Sequence, residues 1–364
     1  MKPLAEINKV ITYLPSVMNY EDRIHQLNNS CDYQNNIQIF IFTKSLGIKK
    51  NQIISKKFHK INFEFLENKL SNKSIFLQFK IGRYLYNLKD NFLLLDWFAN
   101  FFLIGLLLKL SKNNHYVFSP VISSWGWIYK QFKFEVPIFS FRYTWFRLIS
   151  VPTELISIFS ANIVVVQSVK LKKFYSRVYG IKSEKIIVNY NYTSLKPKNA
   201  NPKKLHKKLV IGYIGNFEKH KGNRIIYEIA NQSKFNLILA GSSKGYKNIK
   251  LLEKVKSLKN VDFVGKLDRE GVNLFYNSID VLILPSYHEG SPRVVTEFLS
   301  FRKPIISFNN PGLDYCGKNS LVFLLDYFQD HKDFLKILRR INNNEFNKIE
   351  KCTNKINPKY ALFN

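Results

Sequence analysis

Asp280-Val-Leu-Ile-Leu-Pro-Ser-Tyr-His-Glu-Gly-Ser-Pro-Arg-Val-Val-Thr-Glu297 is the stretch on which the reading of this chain turns. Residues 281–284 form a short apolar run, expected as a strand buried on both faces. Pro285 and Ser286 end it, because proline cannot donate to a strand ladder. A polar loop follows over residues 287–292, and residues 293–300 are expected to be helical. Pro292 suits the first turn of that helix, where its missing N–H costs nothing. The loop thus delivers the chain to the positive end of a helix, with free N–H groups. Strand, glycine-bearing loop, helix is how an α/β fold builds an anion site at the carboxyl end of its sheet. Two carboxylates bracket the unit. Glu289, in the loop, can accept hydrogen bonds from hydroxyl groups or stabilise developing positive charge, and Glu297, about one turn into the helix, can take a diol bidentately.

Upstream, a second strand–loop–helix has the same form. Residues 209–215 (Leu-Val-Ile-Gly-Tyr-Ile-Gly) run into Asn216-Phe-Glu-Lys-His-Lys-Gly222, with a helix expected from Asn223. Further βα units follow: a strand at 235–240 closed by Gly241, one at 261–265, a helix at 268–277, then the strand at 281–284. Alternation at this spacing implies a parallel sheet with right-handed crossovers.

The flanks of the first stretch carry a resemblance. Asp280-Val281, Pro285-Ser286, Glu289-Gly290, Glu297 after seven intervening residues, then Lys303-Pro304-Ile305-Ile306 resemble the signature of the retaining family 4 glycosyltransferases of the GT-B fold. The resemblance is strong over residues 209–312 and mostly topological before them. It implies an α/β protein of GT-B architecture, with two Rossmann-like β/α/β domains facing each other across a cleft. The corresponding divisions are an acceptor-binding domain over 1–192, a linker over 193–208 and a nucleotide-sugar-binding domain over 209–340. A helical tail over 341–364 is expected to cross back to the first domain. The resemblance assigns Glu289 as catalytic, and gives donor contacts to Gly215, Asn216, Lys221, Gly241, Val264, Gly290, Ser291, Pro292, Arg293, Val294 and Glu297. Lys221 and Arg293 would hold the donor diphosphate, Glu297 its ribose, and Gly241 and Val264 would lie along its base. Asn309, Asn310 and Gly312 would lie near the donor.

The sequence departs from the family at two places. Family members carry a glycine-rich loop after the first strand, whereas Ser16-Val-Met-Asn-Tyr-Glu-Asp-Arg23 holds no glycine. Asn216 stands where the family has an arginine. Both departures support an alternative, a nucleotide-sugar-binding or scaffold protein of the same fold with impaired turnover.

At 364 residues two domains are the natural division. The first begins as β-α-β, with strands at 9–14 and 37–43 around a helix at 20–28; residues 45–74 are basic and poorly patterned. Residues 92–110 are apolar almost all round and are expected as one helix, either packed under the sheet or resting on a membrane. Asp96 within this run argues against a span. Strands are expected at 115–121 and 136–141, the second delivering Arg142 and Tyr143 to a carboxyl edge, where the arginine either clamps a phosphate or an acidic sugar or serves the structure. A strand at 160–168 and a helix at 169–179, capped by Gly180, lead to a last strand from Lys185.

The net charge is +30, from 56 basic and 26 acidic residues. Nucleic acid, anionic lipid and phosphate ligands all fit that sign, and so does the lysine bias of an AT-rich genome. No zinc-finger, RNP-like or arginine-rich segment supports nucleic acid. Three scattered cysteines (Cys31, Cys316, Cys352) indicate neither disulfides nor a metal site and fit a reducing compartment. The first residues lack the apolar core of a signal peptide. The expected partners are a nucleotide-diphosphate sugar and a glycan or lipid-linked acceptor, met at the anionic inner face of the cytoplasmic membrane. No cofactor is expected, and the absence of an Asp-x-Asp pair points to metal independence. These residues do not select the donor base, the sugar or the linkage.

Overall fold

A computed structural model of the chain describes residues 9–14, 36–42, 61–66, 82–83, 85, 92–96, 102–109, 115–120, 141–190, 208–232, 235–242, 249–287, 289–316, 319, 321–325 and 330–343. The expected helix at 20–28, the loop at 16–23, the linker at 193–207 and the tail beyond 343 lie outside these residues. So does the strand at 136–141, apart from its last residue.

Two all-parallel sheets carry the fold. The first contains β1 (Lys9–Leu14), β2 (Asn36–Phe42), β3 (Ile61–Leu66), β4 (Phe92–Asp96), β5 (His115–Phe118), β6 (Ile163–Val166) and β7 (Ile186–Val188), in the order β3-β2-β1-β4-β5-β6-β7. Helices α1 (Phe102–Leu108), α2 (Phe141–Ser160) and α3 (Val169–Tyr179) belong to it. Ile104 and Leu108 of α1, Ile158 of α2 and Tyr175 of α3 pack with Leu94, Tyr116, Phe118, Val164 and Val166 in one core. Helix α3 starts where expected because the Ser168 hydroxyl accepts the Leu171 N–H (3.0 Å). It stops at Gly180, whose φ of 65° is the left-handed cap.

Three expectations for this half are corrected. The run 92–110 is a strand and a short helix rather than one helix. An all-apolar run carries no period to separate the two, and Asp96 is the last residue of β4, fully buried and accepting the Tyr116 hydroxyl at 2.9 Å. The poorly patterned region 45–74 contains β3, which pairs with β2 in parallel register, Ile37 opposite Ile61. Residues 141–146, expected to lie at the end of a strand, open helix α2 instead, so Arg142 and Tyr143 lie in its first turn. Among the described residues no helix is long and apolar enough to cross a membrane.

The second sheet contains β8 (Val210–Ile214), β9 (Asn236–Ala240), β10 (Val261–Gly265), β11 (Val281–Leu284), β12 (Ile305–Phe308) and β13 (Val322–Leu325), in the order β10-β9-β8-β11-β12-β13. Every residue of β11 and β12 is buried, as central parallel strands require. Helices α4 (Asn223–Asn231), α5 (Ile249–Lys256), α6 (Arg269–Ser278), α7 (Arg293–Leu299) and α8 (His331–Asn342) cover it. Ile225, Ile226 and Ile229 of α4 and Phe334 and Leu338 of α8 share a core with Ile211, Tyr213, Val281 and Ile283. Phe275 and Tyr276 of α6 and Val295 and Phe298 of α7 pack with Leu282, Leu284 and Ile305 on the opposite side. The alternation of strand residues between the two cores makes this a doubly wound layer. The region from residue 321 begins with β13, which pairs with β12; helix α8 follows.

Two lysine and aspartate positions of the signature turn out to serve this fold. The Asp280 carboxylate accepts the Val210 N–H (2.8 Å). Lys303 Nζ donates to the carbonyls of Tyr276, Asn277 and Ile279 at 3.0, 2.8 and 2.5 Å, closing the C-terminal end of α6.

Candidate active site

The order of the second sheet reverses between β8 and β11, whose neighbours were laid down in opposite directions. Open α/β sheets bind ligands at the carboxyl ends of the strands flanking such a point. The loops after β8 and β11 both end there.

After β8 the Tyr213 hydroxyl donates to the Asn216 carbonyl (2.6 Å), holding the turn from below. Asn216 itself is exposed, its amide 3.5 Å from the Glu218 carboxylate. The Glu218 carbonyl accepts the Lys221 N–H (3.0 Å), forming a tight 3-10 turn over Lys219–Lys221. Glu218 also lies 3.1 Å from His220 Nδ1. That hydrogen bond holds its carboxyl below the usual value, against the opposing effect of burial. Gly222 has φ of 75°, and a Cβ there would strike the Pro285 carbonyl. Only glycine lets the two loops approach this closely.

After β11 the chain folds onto that turn, the Tyr287 N–H donating to the His220 carbonyl (2.9 Å). The Tyr287 ring stacks on Phe308 at 5.3 Å between centroids. The outcome is a contact across 68 residues of sequence: Lys221 Nζ lies 2.6 Å from Glu289 Oε1. The carboxylate side chain is 12% exposed and the lysine 25%. A cation and a carboxylate from two separate loops therefore meet at the switch point of the sheet, each neutralising the other.

Helix α7 places Glu297 one turn below. Its Oε2 accepts the Tyr276 hydroxyl at 2.7 Å. Tyr276 is buried among Phe275, Phe298 and Phe301. Burial first, then the Glu297 charge, pushes its phenol well above the usual range, so it remains a neutral donor. Pro292 is the residue before the helix rather than its first member, with φ −71° and ψ 112°. Arg293 is exposed at the helix start, and Gly290, Ser291 and Val294 are half-buried beside it. Gly215 and Gly241 end adjacent strands: the Gly215 N–H donates to the Ala240 carbonyl (2.9 Å), and the Gly241 N–H to the Gly265 carbonyl (2.7 Å). Val264, on the next strand, exposes an apolar side chain. Among the described residues no group of three His, Cys, Asp or Glu side chains could hold a metal ion.

Sequence reasoning did not find Tyr276, which lies in a helix whose pattern reads only as core. It also missed a contact between the two halves of the chain. The Asp314 carboxylate accepts the Lys170 N–H at the start of α3, and Lys170 Nζ donates to the Asn309 side chain, both at 2.9 Å. Beside them Tyr190 meets Tyr315 edge-on at 5.1 Å, and Tyr315 shares a hydrogen bond with Thr296 (3.0 Å). The side chains of Arg142 and Tyr143 lie outside what the structure describes.

Residues 196–357 match the model of the family described as glycosyl transferases group 1. An uncharacterized glycosyltransferase of Haemophilus influenzae is 28% identical over 182 residues, covering 48% of this chain and 50% of that protein. The capsular polysaccharide biosynthesis glycosyltransferase CapM of Staphylococcus aureus is 29% identical over 181 residues, covering 46% of this chain and 44% of that protein. The chain thus aligns with half or less of the length of either relative. The crystal structure of Anabaena HepE in complex with UDP-glucose superposes with a TM-score of 0.68 at 14% identity, over 94% of this chain and 92% of that one. That likeness extends across both sheets and concerns the fold. Residues 196–357 thus resemble the glycosyl transferases group 1 family, and the chain as a whole has a GT-B fold.

Proposed function

We propose that the protein transfers a sugar from a nucleotide-diphosphate donor held on the second domain to an acceptor held over the first. The observation that carries this reading is the Lys221–Glu289 pair, 2.6 Å apart at the switch point of the sheet. A departing nucleoside diphosphate gains negative charge that needs fixed positive partners, and Lys221 and Arg293 are assigned that task in place of a metal ion. The reacting sugar carbon gains positive charge, which Glu289 stabilises. Glu297, oriented by Tyr276, takes the ribose diol. Gly241 and Val264 border the base. Retention of anomeric configuration follows from the resemblance in the signature, and no protein nucleophile is assigned.

The acceptor is proposed to be a cell-envelope glycan or a lipid-linked precursor at the inner face of the cytoplasmic membrane. CapM's description as a capsular polysaccharide enzyme and the +30 charge of the chain support that class. HepE's complex with UDP-glucose makes uridine the first base to try.

The test is a thermal-shift panel of UDP-, GDP-, ADP- and dTDP-sugars on the wild type and Glu297→Ala. A shift for one nucleotide that the variant loses identifies donor and site together. No shift with any donor favours the second reading, an impaired nucleotide-sugar-binding protein. The exposed, uncharged Asn216 is the feature on its side, and Asn216→Arg is then the first variant to make. Transfer measured with and without membranes tests the acceptor: full activity on a soluble sugar alone overturns the membrane assignment.

A further inference from the structure

We infer that Asn310 is the positioning residue that aims Glu289 at the donor, an inference that takes the role of Glu289 from the reading above. Asn310 follows β12 and is fully buried, so it acts through its neighbours rather than by touching substrate. Its side-chain oxygen accepts the Glu289 N–H at 3.0 Å. Its amide nitrogen donates to the Ser286 carbonyl at 2.8 Å and lies 3.4 Å from the Phe308 carbonyl. One planar amide therefore clamps both ends of the segment between β11 and the carboxylate. The task needs a donor and an acceptor on the same small plane. A carboxylate lacks the donor and an aliphatic side chain lacks both.

A second contact locks the same two segments. A Cβ on Gly312 would collide with the Gly290 carbonyl, so the residue after Glu289 rests directly on the backbone two residues beyond Asn310. On its other side the Glu289 carboxylate accepts a hydrogen bond from Lys221 Nζ at 2.6 Å. When a donor diphosphate recruits Lys221, that restraint is withdrawn. The Asn310 clamp then holds the carboxylate in place while the chemistry occurs. Displacements of about 1 Å at a reacting group can cost on the order of 10²-fold in rate.

The experiment compares wild type, Asn310→Ala and Asn310→Asp by kcat and donor KM across pH, and by hydrogen exchange of a peptide spanning residues 286–290. Alanine leaves the Glu289 N–H and the Ser286 carbonyl without this partner. Exchange in that peptide should quicken and kcat fall by about 10²-fold, with donor KM little changed. A protonated aspartic acid has the same shape and supplies both donor and acceptor, and burial raises its pKa. Turnover of Asn310→Asp relative to wild type should therefore climb as pH falls, which a merely structural defect would not produce. Should Asn310→Ala fail to fold, the aspartate profile decides. Unchanged exchange with unchanged kcat in Asn310→Ala, or an Asn310→Asp profile parallel to wild type at every pH, overturns the inference. Absence of transfer by the wild type with every nucleotide sugar would instead sink the reading of function, and the exchange arm would still report whether Asn310 holds the loop.

Discussion

Glu289→Gln should separate the two halves of the Lys221–Glu289 pair, with opposite effects on binding and on turnover. In the absence of donor the lysine is committed to the carboxylate at 2.6 Å. A diphosphate must displace that partner before it can use the cation. Glutamine keeps the shape and a neutral hydrogen bond but gives up the charge. A charge-assisted hydrogen bond is worth about 1.5–3 kcal/mol net. With the lysine 25% and the carboxylate 12% exposed, solvent screening brings this toward about 1–1.5 kcal/mol. At about 1.4 kcal/mol per decade, the free nucleoside diphosphate should bind roughly tenfold more tightly to Glu289→Gln than to wild type. Transfer should meanwhile fall by about 10²–10³-fold, the usual effect of removing one preorganised stabiliser of transition-state charge. Calorimetric titration with the diphosphate identified in the donor panel, beside single-turnover transfer, measures both. Diphosphate affinity that is unchanged or weaker, or transfer at the wild-type rate, refutes the argument that these groups are one another's ground-state partners.

Three further outcomes are expected. Tyr276→Phe removes the 2.7 Å bond to Glu297 and should weaken donor binding by roughly tenfold with little change in kcat; a titration with equal affinity would show that Glu297 needs no such support. Lys303→Met strips three carbonyls at the end of α6 of their shared donor and should cost roughly 1.5–3 kcal/mol of stability, read as a lower urea midpoint at unchanged slope; an unchanged midpoint would count against the cap. Glu218 has a folded-state pKa below its usual 4.5, chiefly because of the His220 hydrogen bond. A depressed carboxylate stabilises above its unfolded pKa, and that contribution is lost as pH falls through the lower folded value. Urea midpoints of wild type and Glu218→Gln should therefore differ at neutral pH and converge in acid below about 4.5; a gap that widens toward acid would reverse the assignment.

Where a segment's neighbours in sequence are also its neighbours in space, the chain could be read directly. The run Val281–Leu284 is a buried strand because every residue in it is apolar and β-compatible. Helix Val169–Tyr179 has the predicted bounds because Ser168 and Gly180 are local start and stop signals. Lys221-Gly222 and Glu289 each sit in a short strand–loop–helix unit whose form shows in a dozen residues, and the family resemblance supplied the roles expected of them. The run 92–110 failed for the complementary reason. Apolar on all sides, it has no period, and only pairing with β1 and β5 decides that its first part is a strand.

The amino-acid sequence by itself determined the α/β class, the alternation of strands and helices in the second domain, and the two loops that bear the acidic and basic groups. Tertiary structure alone decided what those groups meet. It put Lys221 against Glu289, Tyr276 under Glu297, Asn310 behind the Glu289 backbone and Asp314 on the first turn of α3, across 68, 21, 21 and 144 residues respectively. The physical reason is that caps, turns and hydrophobic periods are written within one or two turns of chain. A hydrogen bond between loops depends instead on strand order and on the close approach of backbones, and no local pattern encodes either.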